Sequence, residues 1–152
     1  MPPAVVMRVA LAGIWIGLIG ALSFIETPLK FLAPDVTLPI ALGIGRLVLT
    51  AANLAGAALL AVLAALSFVR PRLRRGGWWV LIGLTVVLLT QIAIIRPPLN
   101  ARTDIILAGG DPGSSPLHVL YVVADALLML LLVAYIVLSG TSRATDGAAR
   151  TR

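Results

Sequence analysis

Asp125 interrupts the charge-free stretch 117–138. An ionisable side chain inside hydrocarbon is costly, so this carboxyl group needs a partner or a purpose. On a helix His118, Tyr121 and Asp125 stand at i, i+3 and i+7 and share one face. In another apolar stretch Arg46, Thr50 and Asn53 stand at i, i+4 and i+7. A third carries Thr90 and Gln91 near one end, and the first ends with Ser23 and Glu26. Two carboxylates, a guanidinium, an imidazole, a phenol and two carboxamides can hold a small polar solute or ion. The candidate ligand-binding residues are therefore Asp125, Arg46, Asn53, His118, Tyr121, Glu26 and Gln91. Arg46 is expected to reach Asp125 or to pair with Glu26, and Asn53 or Gln91 to hydrogen-bond the Asp125 carboxylate. The same side chains have a structural alternative, in which they join helices and fix their register.

Other chemistries fail on spacing. His118 and Asp125 lie ~10.5 Å apart along a helix axis. The ligands of one metal ion sit within ~2–2.6 Å of it, so this pair cannot hold a metal alone. A single histidine excludes bis-histidine haem within one chain. With no cysteine there is no disulfide, thiolate site or cysteine nucleophile. No phosphate loop, nucleophile elbow or zinc motif occurs. We expect no enzymatic activity, no catalytic residue, no metal site and no cofactor.

The elements that position these residues follow from composition. Of 152 residues 60% are apolar and 12% charged, with mean hydropathy +1.06. Soluble domains are about a quarter charged, so the solvent of this chain is lipid, and a disordered, collagenous or nucleic-acid-binding protein is excluded. The charge-poor stretches predict an all-α membrane four-helix bundle with transmembrane helices at about 4–25, 40–69, 77–96 and 117–138. No segment alternates with period two, and an open sheet cannot satisfy its backbone in lipid. A flexible basic tail is expected over 141–152. The first stretch resembles a signal peptide, but it is long for one, and Ala21-Leu22-Ser23 is a poor cleavage context, so it counts as the first helix.

The net charge of +6 is a topology signal. Arg70, Arg72, Arg74 and Arg75 crowd one loop, and Arg143, Arg150 and Arg152 the C-terminus. The positive-inside rule puts this loop and both termini, with Arg8, in the cytoplasm of a plasma-membrane protein. Trp78, Trp79, Phe68 and Tyr135 are then expected at the inner interface, and Phe24, Phe31 and Tyr121 at the outer one. The inner half reads as almost purely apolar and small.

Prolines 28, 34 and 39 and prolines 97, 98, 112 and 116 read as two outer loops that punctuate the helices. A weak echo links Ile25-Glu-Thr-Pro-Leu-Lys30 with Ile95-Arg-Pro-Pro-Leu-Asn100. It has two readings, a duplicated hairpin or coincidence. A helix from Pro39 to Val69 would run ~46 Å, so it must tilt, bend or protrude. Gly13 and Gly17, with Ala57 and Ala61, form smooth stripes. They predict close packing of the first two helices, or a face for a homo-oligomer or a membrane-complex partner.

The run Phe24-Ile-Glu-Thr-Pro-Leu-Lys-Phe31, with Ala33-Pro-Asp-Val-Thr-Leu-Pro-Ile-Ala-Leu-Gly-Ile-Gly-Arg-Leu-Val48, resembles small four-helix bacterial membrane proteins. Through them the chain is distantly similar to the copper resistance protein D group, which includes haem-linked relatives. The segments Pro98-Leu-Asn-Ala-Arg-Thr-Asp104 and Leu117-His-Val-Leu-Tyr121 fit the likeness. The resemblance implies an acidic residue shortly after the helix 2 asparagine, where Gly56 stands, and a glutamate in helix 4, where Asp125 stands. It implies four helices and no established activity. The leading expectation is a protein that binds or passes a small solute or ion at a polar pocket in the outer half of the bilayer. The alternatives are a non-catalytic accessory subunit of a larger membrane complex and a haem- or copper-linked membrane protein.

Overall fold

The computed structural model describes residues 1–141. Past its first residue, the expected basic tail lies outside them. The protein is an all-α membrane four-helix bundle. Its four helices are long and apolar enough to span a bilayer: α1 Pro3–Lys30, α2 Leu38–Ser67, α3 Arg75–Leu107 and α4 Leu117–Thr141. Proline opens α1 and α2 in the first turn, where no intrahelical N–H bond is lost. Thr37 and Arg74 precede α2 and α3 with extended backbone. The helices alternate in direction, and each packs on two others: α1 on α2 and α4, α3 on α2 and α4.

Two helices run further than expected. Prolines should have ended α1 near residue 25 and α3 near residue 96, yet α1 continues to Lys30 and α3 to Leu107. A widened π turn precedes each proline site, at Gly20–Glu26 in α1 and Gln91–Ile95 in α3. A proline ring strikes the carbonyl four residues before it. For Pro28, Pro97 and Pro98 those carbonyls belong to Phe24, Ala93 and Ile94, each within a widened turn. The extra residue per turn moves the carbonyl aside, and the helix continues. The two echoed hexapeptides thus share one local device.

Each helix buries a narrow seam. Val5, Arg8, Ala12, Trp15 and Ile19 face inward on α1, and Gly77, Leu81, Leu84, Leu88, Gln91 and Ile95 on α3. On α4 the seam is Tyr121, Asp125, Leu128, Leu132, Tyr135 and Ser139. On α2, from Asn53 onward, it is Asn53, Gly56, Leu63 and Ser67, with Leu60 packed partly buried beside them. Steps of three and four alternate, the spacing of a left-handed bundle.

The middle of the bundle is a dry layer of Ala12, Trp15, Ile19, Leu63, Leu84, Leu88, Leu128 and Leu132. Here α1 meets α2 through Trp15 over Gly56, where an added Cβ would lie 3.1 Å from the indole. The expected contact through Gly13 and Gly17 is not made. Both are exposed, an added Cβ at either meets nothing within 4 Å, and Ala57 and Ala61 are exposed too. A tryptophan reaching into a glycine notch brings the two backbones together on a different face.

The end bearing Arg70–Arg75 departs from a second expectation, that it is almost purely apolar and small. Arg8 is wholly buried there. Its Nε donates to Leu66 O at 3.1 Å and its Nη2 to Val69 O at 2.7 Å, so a cation covers the open carbonyls that end α2. Tyr135, expected in the aromatic belt, is also buried, with its hydroxyl 2.9 Å from Ser67 Oγ. Leu73 tucks under the connection, its N–H donating to Ser67 O, while Arg70, Arg72, Arg74 and Arg75 are exposed. Phe68 and Trp78 do stand together, ring centroids 4.8 Å apart.

Candidate functional site

At the opposite, proline-rich end the expected polar residues separate into two tiers. The lower tier joins all four helices. Asp125 is buried on α4 and accepts hydrogen bonds at both oxygens. Ser23 Oγ of α1 donates to Oδ2, and Gln91 Nε2 of α3 donates to Oδ1 at 2.7 Å. One turn along α4, the Tyr121 hydroxyl donates to Asn53 Oδ1 of α2 at 2.9 Å. Both widened turns serve this tier: Ser23 lies within the first and Gln91 opens the second. The expected Gln91–Asp125 contact is present. Asn53 does not bond the carboxylate: its carbonyl oxygen accepts from the tyrosine hydroxyl, and its Nδ2 makes no hydrogen bond among the described residues. Tyr121 accordingly belongs to the interior, not to an interfacial belt.

Ser23, Asn53, Gln91, Tyr121 and Asp125 line a cavity of about 20 Å³. That is room for one water molecule. Asn53 Nδ2 and Gln91 Oε1 have no partner among the described residues. A water that accepts from the amide nitrogen and donates to the amide oxygen is the group such a space suits.

The upper tier holds Glu26, Arg46 and His118. Arg46 reaches neither Asp125 nor Glu26. Its Nη2 donates to Asp104 Oδ1 at 2.6 Å and to Asn100 O at 2.9 Å, both on the part of α3 that continues past Pro97 and Pro98. Those acceptors exist on a helix only because α3 does not stop at its prolines. Arg96 Nη2 donates to Thr50 Oγ1 at 2.5 Å one turn below. Arg46 and Thr50 on α2 thus face Arg96, Asn100 and Asp104 on α3 as a ladder of four-residue steps. Glu26 pairs with Lys30 at 3.4 Å. His118, the sole histidine, is exposed.

Between these groups lies a pocket of about 260 Å³. Glu26 and Lys30 of α1, with Phe31 just past its end, form one side and Asn100 and Thr103 of α3 another. Ala41, Leu42, Gly45, Arg46 and Leu49 of α2 form the apolar wall, and His118 opens α4 at the rim. Lys30 folds down over Gly45, where an added Cβ would lie 2.8 Å from Nζ. Lys30, Gly45, Thr103 and Asp104 were not among the sequence candidates. Lys30 and Asp104 read there as charges of two outer loops, whereas both stand on helices that frame the pocket. Among the described residues no group of three or more metal-ligating side chains comes together.

The two tiers share no lining residue. Of the seven candidates, Glu26, Arg46 and His118 meet the pocket, while Asn53, Gln91, Tyr121 and Asp125 form the joint beneath it. Comparison with family models, with curated proteins and with solved structures finds no match.

Proposed function

We propose that the protein binds a small amphiphilic solute in the pocket between Lys30, Arg46 and His118. The observation that carries this reading is the pocket itself: about 260 Å³, apolar along α2, polar at the rim, and drawn from all four helices. Ligand sites are concave, largely apolar and oriented by a few polar groups, and start at roughly 300 Å³, so this one suits a small ligand. Binding is favoured over passage. Below the Asp125 joint, Trp15, Leu63, Leu84, Leu128 and Leu132 fill the bundle axis and offer an ion no polar partner. The exposed arginines at 70, 72, 74 and 75 support cytoplasmic termini in a plasma membrane, with the pocket opening outward.

The test is photolabelling in phosphatidylcholine nanodiscs with a diazirine derivative of decanol. Labelling should saturate, map to the peptide around Ala41–Leu49, and fall when Leu49→Trp fills the pocket. Labelling that never saturates and spreads over lipid-facing positions such as Leu54 and Leu130 would contradict the reading.

The outward position of Gly13, Gly17, Ala57 and Ala61 favours a second reading, as an accessory subunit or homo-oligomer packed through those stripes. Loss of a co-purifying subunit, or of the homo-oligomer, on Gly17→Leu but not on Leu49→Trp would support it.

A further inference from the structure

The polar rim of the pocket is uneven in hydrogen-bonding capacity, and this restricts the head group it can take. The pocket has one acidic lining residue, Glu26, already engaged at Oε2 by Lys30 Nζ and Thr27 Oγ1, each at 3.4 Å. Its donors exceed their acceptors. An ammonium carries three protons. Lys30 Nζ meets the single long contact to Glu26 and the face of Phe31, 5.8 Å from the ring centroid. Arg46 spends Nη2 on Asp104 and Asn100, but its Nε is buried with no partner among the described residues. His118 adds a ring nitrogen pair at the same rim. Gly45 leaves the space into which the lysine end folds, and a Cβ there would push that flexible end aside.

Resting on the reading that this pocket binds an amphiphile, we propose that its ligand bears an acidic head, a carboxylate or a phosphate. The head sits at Lys30 Nζ with Arg46 Nε and His118 beside it, and the apolar part lies along Ala41, Leu42 and Leu49. An acidic oxygen would supply the acceptor that Lys30 and Arg46 lack, and charge-assisted bonds of this kind are about twice as strong as neutral ones.

The experiment is competition against the decanol photolabel by four ten-carbon probes: decanoate, decyl phosphate, decanol and decyltrimethylammonium. At least one acidic probe should compete at concentrations about tenfold or more below decanol, the scale of one charge-assisted hydrogen bond. Decanoate ahead of decyl phosphate identifies a fatty-acid type of ligand, and the reverse order a phosphomonoester. The advantage should vanish in Lys30→Gln, survive in Lys30→Arg, and shrink in Gly45→Ala, which keeps the charge but displaces the amine. Gly45→Ala carries the test should Lys30→Gln fail to fold. Equal competition by decanol or by the quaternary ammonium overturns the acidic head while leaving the pocket reading intact. An acidic preference that persists in both Lys30→Gln and Gly45→Ala overturns the role of Lys30. Absence of saturable labelling overturns both readings together.

Discussion

Replacing Asp125 separates a structural carboxylate from a ligand-binding one. In Asp125→Leu two donors lose their acceptors, Ser23 Oγ and Gln91 Nε2, and the cavity beside them is only about 20 Å³. Side-chain hydrogen bonds between membrane helices average about 0.6 kcal/mol and reach about 1.7, because the unfolded chain in the membrane also finds partners. Two such bonds put the loss at about 1–3 kcal/mol. Asp125→Asn keeps an acceptor oxygen for Gln91 Nε2 and can present its amide to Ser23, whose hydroxyl also accepts, so a loss well below that of Asp125→Leu is expected. The assay is reversible unfolding in mixed micelles titrated with dodecyl sulfate, followed by circular dichroism. Binding of the decanol photolabel should be unchanged in Asp125→Asn, since Asp125 does not line the pocket. An Asp125→Leu protein as stable as the parent, or more so, would refute the argument. It would mean that the carboxyl group burdens the bundle and is kept for something other than register.

Other outcomes follow from the same packing. Arg8→Leu should cost about 1–3 kcal/mol, because the last carbonyls of α2 lose a charged donor, and amide exchange around 66–70 should accelerate. Gly56→Leu should destabilise by about 1–3 kcal/mol through overpacking against Trp15, whereas Gly13→Leu should leave monomer stability within about 0.5 kcal/mol; unfolding midpoints of the two variants decide this. Tyr135→Phe removes the bond to Ser67 and should cost about 0.6–1.7 kcal/mol on the same scale. Alanine at both Pro97 and Pro98 lets the widened turn at Gln91 relax toward α-helix. Tryptic mapping of the photolabel should then show the Asn100–Thr103 side of the pocket displaced and labelling reduced.

The spans and the burial of Asp125 were legible because hydropathy and the cost of a buried charge depend on residue type alone. That a carboxamide would meet Asp125 was legible because few side chains at that depth can, but the choice of Gln91 over Asn53 was not. Which face each helix turns inward was not legible from hydropathy, since nearly every face is apolar. The usable signal was a spacing of fourteen residues between special side chains. It links Asn53 with Ser67, Gly77 with Gln91, Tyr121 with Tyr135 and Asp125 with Ser139, and it marks the seams. Reading small residues alone selected Gly13 and Gly17, which face outward, and passed over Gly56, whose neighbour Trp15 gives it meaning. Arg8 was read as a topology charge because a lone buried cation needs acceptors, and those are backbone carbonyls that no side-chain pattern advertises. Arg46 was misassigned for the same reason as the helix ends. Proline normally stops a helix, and only the widened turns keep Asn100 and Asp104 on one.

An accessible pocket above a dry seal can be tested directly, because the chain has no native cysteine. Single cysteines at Thr103 in the pocket and at Leu84 and Leu128 in the seal are exposed, in intact cells, to a membrane-impermeant thiosulfonate reagent. The account predicts modification at Thr103→Cys, protection of that site by whichever probe binds, and no modification at Leu84→Cys or Leu128→Cys. Rapid modification of either seal position would reveal an aqueous path through the bundle and contradict it.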